Sequence, residues 1–237
     1  MDIYPAIDLY GGKAVRLFKG DYAQMTVYSD NPADVARDFA AAGATHIHLV
    51  DLEGAKSGVP ANLTVIRQIL EAAPLFAEVG GGIRTMAAVE QYLSIGVDRV
   101  ILGTAAVSDP DFLKEALARF GEKIAVGVDL RDGYVAIKGW TETSCLTADA
   151  FLETMQALGV KTVICTDISR DGAMGGANRA LYQQLSGQFS GDLIASGGVS
   201  SLEDVAALKA MGLGGAIIGK AYYIGAIDLK QAVEVAL

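Results

Sequence analysis

Two aspartates stand at the ends of apolar runs in this chain of 237 residues. Asp8 closes the run in PAIDL, and Asp129 closes the run in VGVDLRDG. Two carboxyl groups on opposite sides of a ligand suit a reaction that moves protons, because one can donate a proton while the other abstracts one. Either aspartate alone could equally accept hydrogen bonds from loop N–H groups. The pair together predicts general acid–base catalysis.

Glycine-rich segments mark two candidate anion sites. EVGGGIR, at 78–84, has a counterpart in SGGV, at 196–199, and each precedes a predicted helix. Glycines let backbone N–H groups approach an anion, and a helix N-terminus adds free N–H groups and a partial positive charge. Alternatively, these glycines serve only tight turns. The predicted cradle residues are Gly81, Gly82, Gly103 and Thr104 in one half of the chain and Gly197, Gly198, Gly219 and Lys220 in the other.

An internal repeat relates the two glycine segments. Residues 81–105 and 197–221 align at an offset of 116 residues, with seven of 25 positions identical, and the same offset takes Asp51 to Asp167. A repeat of this kind indicates two similar halves. The spacings typical of nucleoside triphosphate and dinucleotide loops, GxxxxGKS/T and GxGxxG, are absent. Two anion sites predict a small-molecule ligand with a phosphate at each end.

Eight short apolar runs alternate with amphipathic stretches, a pattern typical of repeated strand–helix units. The class is therefore α/β, and the expected architecture is a (β/α)8 TIM barrel built from two half-barrel repeats, with 1–237 as one domain; an open doubly wound sheet is the alternative. In the barrel, chemistry belongs at the carboxyl ends of the strands, and strands one and five, which carry Asp8 and Asp129, face each other. The predicted strands are 3–9, 46–52, 76–79, 99–102, 124–130, 162–168, 193–195 and 216–218, and the clearest helices are 32–42, 86–95, 110–120 and 202–211, with Asn31, Asp109, Ser200 and Ser201 as cap-like residues.

Composition excludes several classes of partner. The net charge is −9 and the 19 Lys and Arg residues are scattered, so no basic surface for nucleic acid is expected. No stretch without Asp, Glu, Lys or Arg exceeds 12 residues, too short to span a bilayer, and the first residues lack a basic targeting segment. Two cysteines without CxxC spacing suit a reducing cytoplasm. We expect a cytoplasmic protein that needs no membrane, nucleic acid or obligate protein partner.

Other polar and aromatic residues could contribute to a site. His46 and His48 share one face of a strand, but no third histidine is present, so a structural role is favoured and no metal is assigned. Trp140 could stack on a flat heterocycle or anchor a loop. Arg16 and Lys19 in the long first loop, 10–30, are suitably placed, as is the segment that contains Asp171 and Gly172. A loop of this length in a compact domain is often a lid.

The ordered set of motifs resembles the phosphoribosylformimino-5-aminoimidazole carboxamide ribotide (ProFAR) isomerase family of histidine biosynthesis. The resemblance covers essentially the whole chain and implies a half-barrel-repeat (β/α)8 barrel that carries out an Amadori rearrangement, from aminoaldose to aminoketose, without a cofactor. The motifs are PAIDLYGGKAVRLFKGDY, HLVDLEGA, VGGGIR, VGVDLRDG, KGW, TDISRDGAMGG, SGGVSS and IGKA.

The same resemblance implies roles for individual residues. Asp129 corresponds to the general acid that opens the furanose ring, and Asp8 to the base that removes the C2′ proton. Thr166 and Asp171 match positions near the reacting sugar, and Trp140 one that packs on a heterocycle. Three departures from the family pattern, none of them at the acid–base pair, are Glu53 for Asp, Ala173 for Thr and AYYIG for ALYEG.

Three alternative functions stay open at this level. One is the cyclase of the same pathway, although the sequence has PAID where that family usually has PCLD. Another is a bifunctional isomerase that also accepts phosphoribosyl anthranilate. The third is a non-catalytic phosphosugar-binding protein in which both aspartates are structural.

Overall fold

Eight parallel strands close into a barrel in the computed structural model, which describes residues 1–18, 20–137 and 142–237. Pairing between the strands at Ile124–Arg131 and Thr162–Asp167 closes the ring, which confirms the predicted (β/α)8 barrel and excludes the open sheet. In chain order the barrel strands are β1 (Asp2–Tyr10), β4 (His46–Asp51), β5 (Phe76–Gly80), β6 (Arg99–Leu102), β7 (Ile124–Arg131), β10 (Thr162–Asp167), β11 (Asp192–Ser196) and β12 (Gly215–Ile218).

In the described part of the chain, two antiparallel hairpins extend from the barrel strands, and neither was predicted from the sequence. The segment 10–30 is not an irregular loop, because β2 (Lys13–Phe18) pairs with β1 and with β3 (Asp21–Ser29). Similarly, β8 (Tyr134–Ile137) pairs with β7 and with β9 (Glu142–Thr147). The prediction of a long first loop was therefore wrong, because this segment forms a hairpin whose first strand is hydrogen-bonded to β1.

Helices follow the barrel strands and cover the outer face of the barrel. The four clearest predicted helices are confirmed, with ends that agree to within one residue. No helix in the described ranges is both long and apolar enough to cross a bilayer. The helices are α1 (Pro32–Ala41), α2 (Leu52–Ser57), α3 (Leu63–Ala72), α4 (Met86–Ser94), α5 (Thr104–Ser108), α6 (Pro110–Phe120), α7 (Ala148–Ala157), α8 (Arg179–Ser186), α9 (Leu202–Ala210), α10 (Lys220–Tyr223) and α11 (Leu229–Ala236), with a 3-10 turn at Gly121–Lys123.

Side-chain caps were predicted with mixed success. Asp109 and Ser201 accept hydrogen bonds from the backbone N–H groups of the first turns of α6 and α9. Asn31 precedes α1 but makes no such bond, because its amide group donates to the Asp34 carboxylate instead. Ser200 is not the cap of α9, and its N–H and hydroxyl groups instead donate to Asp204.

The described residues form two apolar clusters. The larger lies between the strands and the surrounding helices, and the smaller occupies the inside of the barrel. Alternate residues of each strand point inward, so the interior below the mouth is packed with side chains and forms no pore. The inner cluster is made of Tyr4, Ala6, Ile101, Ala125, Ile164, Ile194 and Ile217.

The repeat-related aspartates anchor equivalent loops in the two halves. The buried carboxylate of Asp51 accepts hydrogen bonds from the backbone N–H groups of Gly54, Ala61 and Asn62 and from the Tyr92 hydroxyl. The Asn62 side chain donates to Asp51 at 2.8 Å, and its repeat partner Asn178 donates to Asp167. The offset of 116 residues therefore relates two copies of one loop-stabilising contact.

Candidate active site

A cavity of about 380 Å³ opens at the carboxyl ends of the barrel strands. Asp8 and Asp129 both line it, from β1 and β7, which are opposite each other in the ring of eight. Its floor includes Ala6, Ile101 and Ile164 of the inner apolar cluster. The two aspartates that the sequence singled out therefore share one concave site with an apolar floor.

Asp8 is held by a cation from the first hairpin. Its carboxylate forms an ion pair with the guanidinium of Arg16 at 2.8 Å, and both side chains are 15% exposed. The antiparallel pairing of Asp8 with Val15 brings β2, and with it Arg16, over the cavity. Burial disfavours the charge on Arg16, but the carboxylates of Asp8 and Asp171 outweigh it and raise the pKa of Arg16 above its ordinary value.

Asp129 lies beside a second predicted site residue. In the register of the barrel, Asp129 of β7 is opposite Thr166 of β10, and both side chains line the cavity. On its other side, Asp129 is paired with Ala136 of β8. The strand β8 thus runs beside the candidate acid. Trp140 and Lys19, both predicted site residues, lie outside the described residues.

The first predicted cradle lines the main cavity through Gly81, Gly82, Gly103 and Thr104. Gly81 and Gly82 have φ angles of 123° and 68°, which side chains rarely tolerate. A Cβ on Gly81 would also collide with the carbonyl oxygen of Asp51, and one on Gly82 with that of Gly54. These glycines therefore let the loop after β5 pack directly against the loop after β4. This close contact requires glycine whether or not the segment also binds an anion or forms a tight turn.

The second predicted cradle is narrower. Gly197, Gly198, Gly219 and Lys220 line a separate pocket of about 30 Å³ together with Arg16. The guanidinium of Arg16 lies over Gly219, where a Cβ would collide with it. Gly103, the repeat counterpart of Gly219, has open space in the corresponding direction. The two cradles are thus equivalent in backbone and different in what covers them.

Asp171 and Gly172 connect this second cradle to the main cavity. Both residues line both pockets, and the ammonium group of Lys220 donates a hydrogen bond to the carbonyl of Gly172 at 3.0 Å. Burial raises the pKa of Asp171 above its ordinary value, although the nearby charge of Arg16 opposes the shift. The loop after β10 is therefore held against both Lys220 and Arg16.

Several cavity-lining residues were not predicted from sequence. Arg84 lies two residues after the three glycines and donates to the carbonyl of Ala55, so its place in the glycine segment was a usable signal. Tyr22 enters the cavity because the first hairpin folds over the mouth. His48 lines the cavity as well, whereas His46, two residues earlier in β4, contacts the rings of Tyr4 and Phe76.

The two histidines, His46 and His48, were also weighed as metal ligands. Within 1–18, 20–137 and 142–237, no cluster of three or more His, Cys, Asp or Glu side chains is arranged to hold a metal ion. His46 and His48 instead have different neighbours, Asp2 and Glu78.

The closed sheet and the cavity at the carboxyl ends of its strands define a half-barrel-repeat (β/α)8 barrel with two glycine cradles and an opposed pair of aspartates. Residues 2–228 match the family model described as histidine biosynthesis protein, and the chain belongs to that family.

Several relatives that this chain matches over nearly their full length carry the name 1-(5-phosphoribosyl)-5-((5-phosphoribosylamino)methylideneamino)imidazole-4-carboxamide isomerase. The relative from Roseobacter denitrificans is 51% identical over 235 residues, which cover 99% of this chain and 98% of the relative. Those from Lactococcus lactis and Chloroflexus aurantiacus are 50% and 49% identical over 98% and 100% of this chain, and 95% and 98% of their own lengths.

Proposed function

We propose that this chain is the isomerase named for these relatives, and that it converts the aminoaldose substrate to an aminoketose by an Amadori rearrangement. The observation that carries the proposal is the placement of Asp8 and Asp129 on opposite strands of one cavity, with a glycine cradle in each half of the barrel. A substrate with a phosphoribosyl group at either end would reach from one cradle to the other and pass between the two carboxyl groups.

The proposed chemistry consists of proton transfers. The carboxylic acid of Asp129 donates a proton to the furanose ring oxygen, the C1′–O bond breaks, and the nitrogen lone pair completes a Schiff base. The carboxylate of Asp8 then takes the C2′ proton, and the electron pair neutralises the iminium nitrogen to give an enolamine. Tautomerisation yields the ketone. The formula of the substrate is unchanged, as an isomerisation requires, and each positioned acid or base contributes typically about 10² to 10⁴-fold in rate.

Arg16 has two functions in this scheme. Its guanidinium forms an ion pair with the Asp8 carboxylate, and its position over Gly219 places that guanidinium where the second phosphate would bind. A guanidinium suits this place because it can bind a phosphate through two parallel hydrogen bonds. Thr166 and Asp171 are proposed to contact the reacting sugar, Trp140 the heterocycle, and the glycines with Thr104, Gly172 and Lys220 the phosphates.

The proposal extends to the setting of the enzyme. We take 1–237 as one domain that acts in the cytoplasm on a small bisphosphorylated molecule and that needs no obligate protein partner, nucleic acid or membrane. The net charge of −9 supports the exclusion of nucleic acid.

The direct test is turnover of the purified protein with ProFAR, followed by the absorbance change as the ketose forms. We expect turnover with this substrate and none from a preparation heated above the unfolding temperature. Phosphoribosyl anthranilate is the second substrate to try, because turnover of both would select the bifunctional isomerase. A wild-type protein that binds ProFAR without converting it would leave only the phosphosugar-binding function.

A further inference from the structure

A chain of three polar side chains crosses three neighbouring strands beneath the mouth. His48 of β4 is opposite Glu78 of β5, and Glu78 is opposite Arg99 of β6. The Nδ1 atom of His48 lies 2.7 Å from Oε1 of Glu78, and Arg99 donates to Oε2 from both Nε and Nη2, at 3.0 and 2.6 Å. The acid–base scheme above uses none of these residues.

The inner end of this chain is rigid. Glu78 is 0% exposed, and Arg99 is buried between the rings of Tyr4 and Phe76. Arg99 also donates to the Tyr4 hydroxyl and to Oγ1 of Thr162, so its guanidinium is bonded on several sides. Burial raises the pKa of Glu78, but the hydrogen bond and charge of His48 and those of Arg99 outweigh this and leave it below its ordinary value. Glu78 is therefore a carboxylate that only accepts hydrogen bonds.

A fixed acceptor determines the tautomer of the His48 ring. Because the Glu78 carboxylate accepts only, the Nδ1 atom of His48 must carry the proton of their hydrogen bond. In the neutral ring, Nε2 is then the atom with a free lone pair, and in the protonated ring it is a second donor. The Glu78 contact thus decides which nitrogen of His48 is available to another molecule.

The available nitrogen faces the cavity. Among the described residues, Glu78 is the hydrogen-bond partner of the His48 ring, and no side-chain N or O atom is both buried and unpartnered. Nε2 is therefore accessible, and His48 lines the cavity. His48 lies opposite Ala6 of β1, two residues before Val50, which lies opposite Asp8. Nε2 reaches the cavity floor on the side of the candidate base.

We propose that His48 presents Nε2 to a hydroxyl of the bound sugar, and that Glu78, locked by Arg99, is the positioning residue that holds the ring for this contact. The inference rests on the proposed function, since the sugar is that of the aminoaldose. His48 is a substrate-contacting residue, whereas Glu78 and Arg99 act only through it.

The substitution His48→Asn separates this function from a structural one. An asparagine amide nitrogen can stand near the position of Nδ1 and donate to Glu78, but nothing replaces Nε2. We expect kcat/KM for ProFAR to fall about tenfold or more while the melting temperature stays within about 2 °C of wild type. His48→Gln, whose amide reaches farther, should recover part of the loss. His46→Asn is the matched control, and it should lower stability while it leaves kcat/KM unchanged.

Nitrogen-15 NMR of histidine-labelled protein tests the tautomer directly, because the chain has only two histidines and His46→Asn assigns them. We expect Nδ1 of His48 to be protonated in the ligand-free wild type and its Nε2 signal to shift when ProFAR binds. An unprotonated Nδ1, or wild-type kcat/KM in His48→Asn, overturns the inference and leaves the isomerase intact. Absence of turnover in the wild type instead removes the proposed function and this inference with it.

Discussion

Arg16 and Asp8 form an ion pair at 2.8 Å at the mouth of the barrel, and the same guanidinium lies over Gly219 of the second cradle. One cation thus contacts the candidate base and occupies the candidate phosphate site. A phosphate that enters this cradle would attract Arg16 away from Asp8 or share it, because both partners are anions. The base and the second phosphate site are therefore coupled through a single side chain.

Replacing Arg16 should reveal this coupling in the kinetics. In Arg16→Gln, the guanidinium that faces the second cradle is lost, and we expect KM for ProFAR to rise about tenfold or more with a smaller change in kcat. Lys13→Gln is a matched control on the same hairpin, since Lys13 forms an exposed ion pair with Asp30. Steady-state rates over a range of substrate concentrations measure both constants. An unchanged KM would mean that Arg16 does not bind the phosphate.

The two aspartates should be essential for turnover and dispensable for binding. Asp8→Asn and Asp129→Asn keep the size of each side chain and remove the proton-transferring group, so we expect each to lose at least about a hundredfold in rate. Isothermal titration with ProFAR should show that both variants still bind. Asp111→Asn, at a side chain that is 94% exposed, is the control. Normal turnover in both variants would refute the acid–base scheme.

The cradle glycines should matter for stability as well as for binding. Gly81→Ala and Gly197→Ala each combine a positive φ angle with a collision against the backbone of Asp51 or Asp167, so we expect a loss of about 3 kcal/mol or more in the free energy of unfolding. Gly212→Ala has a positive φ angle but nothing within 4 Å of the added Cβ, and should lose only about 1 to 2 kcal/mol. Urea denaturation measures these differences. Equal losses of unfolding free energy at all three sites would show that the loops can move apart without destabilising the fold.

The Asp51 contact should make stability depend on acid pH. Burial raises the pKa of Asp51, but hydrogen bonds from Gly54, Asn62 and Ala61 outweigh it and leave the folded-state pKa below its usual value of 3.8. The unfolded chain therefore binds this proton first as pH falls. The stabilisation is complete above pH 3.8 and is lost as pH falls through the folded-state pKa.

The substitution Asp51→Asn tests this contribution. It leaves N–H donors facing an amide, so we expect a loss of about 2 kcal/mol at pH 7 and a weaker dependence on pH below 4 than in wild type. Urea unfolding at several pH values measures both effects, with Asp111→Asn as the control. If Asp51→Asn keeps the wild-type slope below pH 4, another carboxyl group causes it.

The sequence predicted the barrel and its acid pair because both depend on local patterns. Asp8 and Asp129 follow apolar runs directly, and a residue at a strand end must reach the mouth of a closed barrel. The first hairpin was missed because Ala14 and Val15 are both buried around a register shift, so β2 lacks a simple alternation of apolar and polar residues.

The contacts between strands could not be predicted in the same way. In the sequence, Glu78 and Arg99 cannot be told from ordinary charged residues. Only the register of β5 against its neighbouring strands shows that they meet inside the barrel. The same is true of Arg16, whose position over Gly219 joins residues that are about 200 positions apart. Side-chain pairs of this kind depend on three-dimensional closure, which no short stretch of sequence encodes.

The close fit of Gly81 against Asp51, and of Gly197 against Asp167, has a consequence for how such a barrel can arise. The loops that build the first cradle follow β4, β5 and β6, and those that build the second follow β10, β11 and β12, so neither cradle borrows backbone from the other half. Duplicating the gene for one half would therefore copy a complete backbone cradle together with its supporting loop. The ends of a two-phosphate substrate would be recognised from the first fused chain onward, and only the centre between them would remain to be refined.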